Sequence, residues 1–288
     1  MEKVYARWGY GSARFLGQGM EGVVHRLPGG WVGKAWFERT PEQVQDLAVF
    51  YHELAEQDLP FATPRMVAVH EYQKQAVSIE QELAGTSLGA LVEAARLSTA
   101  AAHRVVVQVV AALGRTTAGP ATRALPVLDE KGALRWDGHT WGKDMAALVE
   151  RRTTQFWAVL ERAVPNLEEV VAAVLSLLAQ VDSPSPEQVV HGDICPGNIL
   201  VDGAGRPTAV LDWGFCTTAG DVAFDAATAA GFFDMYGPWA GEHDRALTGV
   251  MVDELGQDRE RMLLYRAVYA LVSANVYSPT GEDGHFAW

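Results

Sequence analysis

Asp193 is followed five residues later by Asn198, and fourteen residues beyond that stands Asp212. A hard cation such as Mg²⁺ takes oxygen ligands. The Asn198 amide oxygen and the Asp212 carboxylate, with triphosphate oxygens and water, would complete its octahedral shell. Asp193 then stays free to orient a hydroxyl and take its proton, which is worth roughly 10² to 10⁴ in rate for a well-placed base. Any one of the three could be a turn cap in a Gly-rich loop. Three of them at these spacings between apolar strands argue for a shared site.

A second set lies upstream. Gly17-x-Gly19-x-x-Gly22-x-Val24 precedes Lys34 by twelve residues, counted from Gly22. Glycines let the backbone approach phosphate oxygens with no Cβ in the way. A dinucleotide fingerprint would open a helix directly after them, whereas Val23-Val24 and the turn Pro28-Gly29-Gly30 follow here. A Walker A loop needs Ser or Thr after its lysine, but Ala35 follows Lys34, and Pro28 stands where its first glycine belongs. What survives is the order strand, glycine flap, strand, lysine. Alone, the segment reads equally well as a Gly-rich turn with a solvated lysine; Asp193, Asn198 and Asp212 shift the balance toward a nucleotide site.

At this point the chain resembles the aminoglycoside phosphotransferase and choline kinase-like small-molecule kinases. The likeness rests on HGDICPGNILV from His191 to Val201, LDWG from Leu211 to Gly214 and GDVAFDAA from Gly220 to Ala227. It covers residues 189–227 specifically and extends to residues 15–85. The resemblance implies Asp193 as catalytic base, Asn198 and Asp212 as Mg²⁺ ligands, and Lys34 on the α- and β-phosphates of ATP or GTP. Gly17, Gly19 and Gly22 would form the flap above them. Residues 79–85 resemble the hinge, with the base bonding to backbone near Gln81 and Leu83. A helix carboxylate should pair with Lys34. Asp46 and Glu53 share one helix face, Glu56 follows a turn later, and Glu53 is the expected partner. His191 and Asp225 are expected to brace the catalytic loop, and Cys195 to pack. Gly192 stands in place of the Arg of H-R-D, no A-P-E follows, and Gly220-Asp221 arrives within ten residues of Asp212. That leaves little room for an activation segment and favours a small-molecule kinase over a protein kinase.

The elements that must position these residues are legible in outline. Val23–His25 and Trp31–Lys34 read as a hairpin, and Val67–Val69 and Ala76–Ile79 as two further strands around the polar stretch Glu71–Gln75. Between them a helix starts at Pro41, capped by Thr40, with Val44, Leu47, Ala48, Tyr51, Leu54 and Ala55 at helical spacing. After Gly85 the pattern turns helical, at Leu88–Leu97, Ala101–Leu113, Trp157–Leu160 and Leu167–Val181. Residues 114–142 read as a long loop. The expectation is an α+β, two-lobe kinase-like fold: residues 1–83 a β-rich nucleotide-binding N-lobe, residues 84–288 a mainly helical C-lobe with catalytic loop and acceptor site. Trp136, Trp141, Trp157, Trp239 and Trp288 are expected in the core.

The 288 residues carry 23 Lys plus Arg against 36 Asp plus Glu, a formal net charge of −13. That excludes a generic nucleic-acid binder, which needs a basic face. Two cysteines with no C-x-x-C spacing make no disulfide framework and fit a reducing compartment. With no apolar run of about 18 residues and no leader-like start, the expectation is a cytoplasmic protein without membrane contact. Asp234, Glu242 and Asp244, downstream of Asp212, are the expected contacts for a cationic acceptor. An aminoglycoside or basic peptide antibiotic heads the list, and phosphorylation would confer resistance by cancelling positive charge. A metabolic kinase for choline, an amino alcohol or a sugar is the alternative, and a nucleotide-binding pseudokinase the next. Monomer and dimer are both open.

Overall fold

The computed structural model describes residues 2–287. Met1 and Trp288, the latter among the tryptophans expected in the core, lie outside the described residues. Helix α1 (Glu2–Arg7) leads into β1 (Arg14–Gln18), β2 (Gly22–Leu27) and β3 (Trp31–Trp36), followed by α2 (Pro41–Ala55), β4 (Met66–Tyr72) and β5 (Gln75–Gln81). The five strands form one antiparallel sheet in the order β1-β2-β3-β5-β4. Pro28 to Gly30 turn the β2–β3 hairpin, with Gly29 and Gly30 at positive φ. The polar stretch between β4 and β5 is shorter than its composition implies. Tyr72 pairs with Gln75, leaving a two-residue turn in which Gln73 and Lys74 both take left-handed φ, the geometry that matches strand twist. Thr40 caps α2 in a capping box with Gln43. One face of the sheet receives α2, through buried Leu47, Phe50, Tyr51 and Leu54, and the other is covered by Tyr5 and Trp8. A Cβ at Gly33 would sit 2.2 Å from the Tyr5 ring, so α1 can dock only over glycine.

The chain leaves this sheet at Gln81 and reappears as β6 (Thr86–Ser87), then α3 (Leu88–Glu93), α4 (Thr99–Leu113), α5 (Pro120–Ala124), α6 (Trp141–Ala163) and α7 (Leu167–Leu178). Next come β7 (Gln188–Val190), a 3₁₀ turn (Pro196–Asn198), β8 (Ile199–Val201), β9 (Pro207–Val210), β10 (Thr218–Gly220), α8 (Ala223–Phe232), α9 (Ala240–Leu255), α10 (Arg259–Ser273) and α11 (Gly284–Ala287). The architecture is a β-sheet N-lobe and a helical C-lobe. The C-lobe also holds two small antiparallel sheets, β6-β8-β9 and β10-β7, of strands two to four residues long. They bracket the loop of residues 191–198. The stretch 114–142 is no plain loop: it contains α5, and α6 begins at Trp141. Arg135, buried within it, pairs with Asp144 and Glu187. Of the tryptophans, Trp141 is in the core, Trp157 is half-buried, and Trp136 and Trp239 are exposed, each beyond 60%.

Backbone bonds and side chains join the lobes. Ala62 makes a parallel bridge to Ala209, its N–H donating to Thr208 O at 2.8 Å and its carbonyl accepting from Val210 N–H at 3.1 Å. Glu53 of α2 reaches across to the start of α5 and accepts from Gly119 N, Ala121 N, Thr122 N and the Thr122 hydroxyl. This corrects the sequence expectation: Glu53 is a helix cap in trans and is not the partner of Lys34. The orphan N–H groups of a helix start need such an acceptor.

Two predictions follow from this packing. Glu53→Ala should lower unfolding free energy in urea by about 2–3 kcal/mol, because several N–H groups lose an anionic acceptor at once; Glu53→Gln should recover part of it. His103 on α4 packs against the rings of Phe233 and His243, and burial, reinforced by His243, lowers its pKa to about 4. Its unfolded counterpart protonates near the ordinary value of 6.5. The stabilisation is therefore present above that value and is lost as pH falls toward 4. His103→Phe should flatten that part of the curve of melting temperature against pH.

Candidate active site

Each site residue is placed by a local feature of the chain. Gly17 and Gly22 lie in β1 and β2, and Gly19 N–H donates to Gly22 O at 3.0 Å to close the flap between them. Added Cβ atoms on Gly17 and Gly19 would meet nothing, so that side of the flap is open; at Gly22 a Cβ would lie 2.3 Å from the Ala35 carbonyl, which requires glycine. Lys34 sits mid-strand in β3, opposite Ser78 of β5.

Asp193 follows β7 through Gly192, whose φ is +79 and whose Cβ would collide with Cys216. The buried Asp225 carboxylate accepts His191 N–H at 2.9 Å and Gly192 N–H at 2.7 Å. His191 Nδ1 accepts the Asp193 N–H at 3.1 Å, while Nε2 donates to Leu211 O at 2.9 Å. Burial lowers the His191 pKa to about 4, so this bridge is neutral. Both residues brace the loop. Asn198 Nδ2 donates to Asp193 O at 2.9 Å and to its Oδ2 at 3.1 Å. Burial, reinforced by the charge of Asp212, lifts the Asp193 pKa to about 7, and the Asn198 bond opposes the rise. Burial and Asp193 push the Cys195 thiol up to about 12, which disfavours the thiolate.

Asp212 takes a left-handed backbone, φ +55, and its side chain is 58% exposed, projecting into the cleft. Its Oδ1 lies 3.5 Å from Lys34 Nζ. The donor set fits a hard divalent cation. Asn198 spends its amide nitrogen on Asp193, leaving its oxygen as donor, and Asp212 offers a carboxylate in the open. No cluster of three or more His, Cys, Asp or Glu able to hold a metal exists among the described residues. A cation here would draw its remaining ligands from phosphate and water.

Gly19, Gly22, Lys34, Asp193, Asn198 and Asp212 all line one cavity of about 250 Å³. Gly17 stands in β1 just before the flap tip. In the segment expected to be the hinge, Gln81 N–H is spent on Arg65 O and Glu82 N–H on Gly30 O, so of Gln81 and Leu83 only Leu83 has a backbone N–H outside these bonds.

Lys34 is neutralised differently from the expectation. Its Nζ donates to Glu21 on the flap at 2.8 Å and lies 3.8 Å from the centre of the Trp36 ring. Burial opposes its charge, but Glu21 and Asp212 outweigh burial and raise its pKa. On α2, Phe50 and Tyr51 are buried in the core beneath the sheet. Glu80, whose carboxyl is pushed up by burial and held by the Ser78 hydroxyl at 2.6 Å, adds a further negative group from β5.

Asp234, Glu242 and Asp244 do not reach this cavity. Asp234 accepts Trp239 N–H within its own turn, Glu242 is exposed on α9, and Asp244 pairs with Arg266. A wider cavity of about 470 Å³ adjoins the first, sharing Met20, Glu21, Phe215 and Tyr277, and carries Asp46, Asp129 and Glu130. Sequence reasoning missed Glu21, Arg39, Phe215 and Tyr277. Glu21 was signalled only by its place between two flap glycines; Tyr277 had no local signal at all.

Comparison with known proteins agrees with this fold. The GDP and kanamycin complex of APH(2")-IIia matches with a TM-score of 0.64 at 16% identity, over 96% of this chain and 91% of that one. The streptomycin-ATP-APH(2")-IIa ternary complex matches at 0.61 and 13%, over 99% and 92%. The apoenzyme of macrolide 2'-phosphotransferase MphH from Brachybacterium faecium matches at 0.61 and 19%, over 99% and 94%. At such identities the likeness is one of fold. No curated protein matches the sequence itself. Residues 12–265, however, match the family model described as the phosphotransferase enzyme family, APH, and that span carries the flap, Lys34 and the whole catalytic loop. The chain belongs to the APH phosphotransferase family.

Proposed function

We propose that this protein transfers the γ-phosphoryl group of ATP or GTP to a hydroxyl of a cationic small molecule, with an antibiotic as the favoured acceptor. The observation that carries the proposal is the convergence of Lys34, Asp193, Asn198 and Asp212 on one cavity beneath the glycine flap. A nucleoside triphosphate as donor is supported by the ATP and GDP named for the structural neighbours. Residues 1–83 would bind it, with Leu83 and Gln81 at the base, Lys34 on the α- and β-phosphates and the flap above. Residues 84–288 would hold the acceptor.

In the reaction the acceptor oxygen attacks the γ-phosphorus in line, the bond to the bridging β,γ-oxygen breaks, and the nucleoside diphosphate leaves. Asp193 orients the attacking hydroxyl and receives its proton at the carboxylate. Asn198 holds that carboxylate in place through its amide nitrogen. Asn198 and Asp212 would hold Mg²⁺, which when bound neutralises phosphate charge. Lys34 supplies fixed positive charge from the opposite wall, where no reorganisation is needed during transfer.

The acceptor would enter through the adjoining cavity. Phe215 and Tyr277 stack there with ring centres 5.9 Å apart and line both cavities, so an acceptor lying on them meets Asp193. Asp46, Asp129 and Glu130 give the wall negative character, although Asp129 pairs with Arg152 and Glu130 with Arg151. An ammonium-bearing acceptor gains charge-assisted hydrogen bonds there. Kanamycin and streptomycin are named for two neighbours and a macrolide for a third, which supports an antibiotic acceptor for this chain. No described helix is long and apolar enough to cross a membrane, and both cysteines are free, which fits the proposed cytoplasmic setting.

The test is nucleotide consumption with Mg²⁺ across aminoglycosides, macrolides, basic peptides, choline and sugars, read with mass spectrometry for a gain of about 80 Da, one added phosphate. Modification of a cationic antibiotic is the expected result; product with choline or sugars only would make this a metabolic kinase, and binding without product a pseudokinase. Asp193→Asn should cut kcat by roughly 10² to 10⁴ with nucleotide affinity largely kept. Asp212→Ala, or removal of Mg²⁺ by chelation, should abolish tight nucleotide binding as well. Unchanged Mg²⁺ dependence in Asp212→Ala would remove that residue from the metal site.

A further inference from the structure

Arg39 lies just beyond β3 and has no part in the arrangement drawn so far. Its side chain is 20% exposed and its guanidinium sits 5.3 Å from the centre of the Trp36 ring, the same ring that Lys34 overlies. One Nη2 donates to Glu21 Oε1 at 2.8 Å and to the Gly214 carbonyl at 2.9 Å. Lys34 takes the other Glu21 oxygen, Oε2, at 2.8 Å. The Glu21 carboxylate is thus bridged, one oxygen to each cation, beside Asp212. Burial would disfavour its charge, yet the two cations outweigh burial and hold its pKa below the ordinary value.

Two oxygens of one anion shared by a buried ammonium and a guanidinium is the arrangement a phosphate group takes between the same side chains. Glu21 belongs to the flap tip, between Gly19 and Gly22, and lines both cavities. A triphosphate entering under that flap brings several negative charges to a place already holding Glu21, Asp212 and Glu80. The two anions therefore compete for Lys34 and Arg39. Arg39 lines the outer cavity, on the acceptor side, whereas Lys34 lines the inner one. The Gly214 carbonyl also ties the guanidinium to the segment that follows Asp212.

We propose that Arg39 is a second triphosphate-binding cation of this site, reaching the terminal phosphate, and that the flap residue Glu21 occupies Arg39 and Lys34 until nucleotide displaces it. The proposal rests on the phosphotransferase reading and adds to it one phosphate contact and one competing internal anion.

The test uses the full chain and measures equilibrium binding of MgATP and MgADP, with kcat for any acceptor found active and melting temperature as a check on folding. Glu21→Gln should bind MgATP about 5-fold to 10-fold more tightly, the scale of losing one competing ion pair. Arg39→Met should weaken MgATP about 10-fold or more while changing MgADP much less, and should lower kcat; Arg39→Lys should recover part of both. In the Arg39→Met background the gain from Glu21→Gln should shrink, because the two act on the same charge. A merely structural Arg39, holding Gly214 alone, would affect MgATP and MgADP equally, and that outcome overturns the proposal. So does a Glu21→Gln variant that binds MgATP no better than the unaltered chain. An unaltered chain that binds neither nucleotide would instead overturn the phosphotransferase reading, and this inference with it.

Discussion

One buried carboxylate holds the catalytic loop to the body of the C-lobe. Asp225 has no exposed surface, lies in the first turn of α8, and receives the backbone N–H groups of His191 and Gly192. Those two groups end β7, where the chain turns out of its ladder with β10 and would otherwise leave donors unpaired in the interior. With Asp225 in place the loop needs only a left-handed glycine and a neutral imidazole to deliver Asp193 and Asn198 to the cleft. The same imidazole ties the loop to Leu211 O, next to Asp212. Three candidate site residues on two separate segments thus depend on one acceptor, itself reached through nothing but backbone bonds.

The N-lobe solves a different problem, which is to keep a lysine charged in a largely buried place. A helix carboxylate is the expected answer. Here α2 presents aromatic residues to the sheet and sends Glu53 to the other lobe, so the neutralising groups come from the flap, from β5 and from the Asp212 loop. On the proposed function, two of these three sources belong to segments that a nucleotide would touch. The charge balance of the cleft would then be made from the same parts that grip the substrate and be remade on binding.

How much of this was legible in the chain follows from where the information resides. The flap, the β2–β3 turn, the α2 start and the catalytic loop are governed by local backbone chemistry: glycine at tight approaches, Pro and Thr at a helix start, Asp and Asn at fixed offsets. Those features are written in consecutive residues. The C-lobe strands are too short to display a period of two, and α6 hides its apolar face behind Glu150, Arg151 and Arg152, the last of which is buried and pairs with Asp129. Helical spacing places Glu53 on a face but does not say which lobe that face meets. The acidic residues after Asp212 illustrate the same limit, since Asp244 is engaged by Arg266 from a neighbouring helix and Asp234 by its own turn.

The backbone at Asp212 carries a consequence of another kind. A non-glycine residue at φ +55 is uncommon, and such positions cost of order 1–3 kcal/mol. Glycine there would relax the chain while deleting the carboxylate. On the proposed function, natural drift or laboratory selection that rewards thermal endurance alone would thus favour an inert loop, and only selection for turnover would oppose it. The acid at this position would then be a running record of use: a lineage that stopped needing the reaction would be expected to lose Asp212 before it lost the fold.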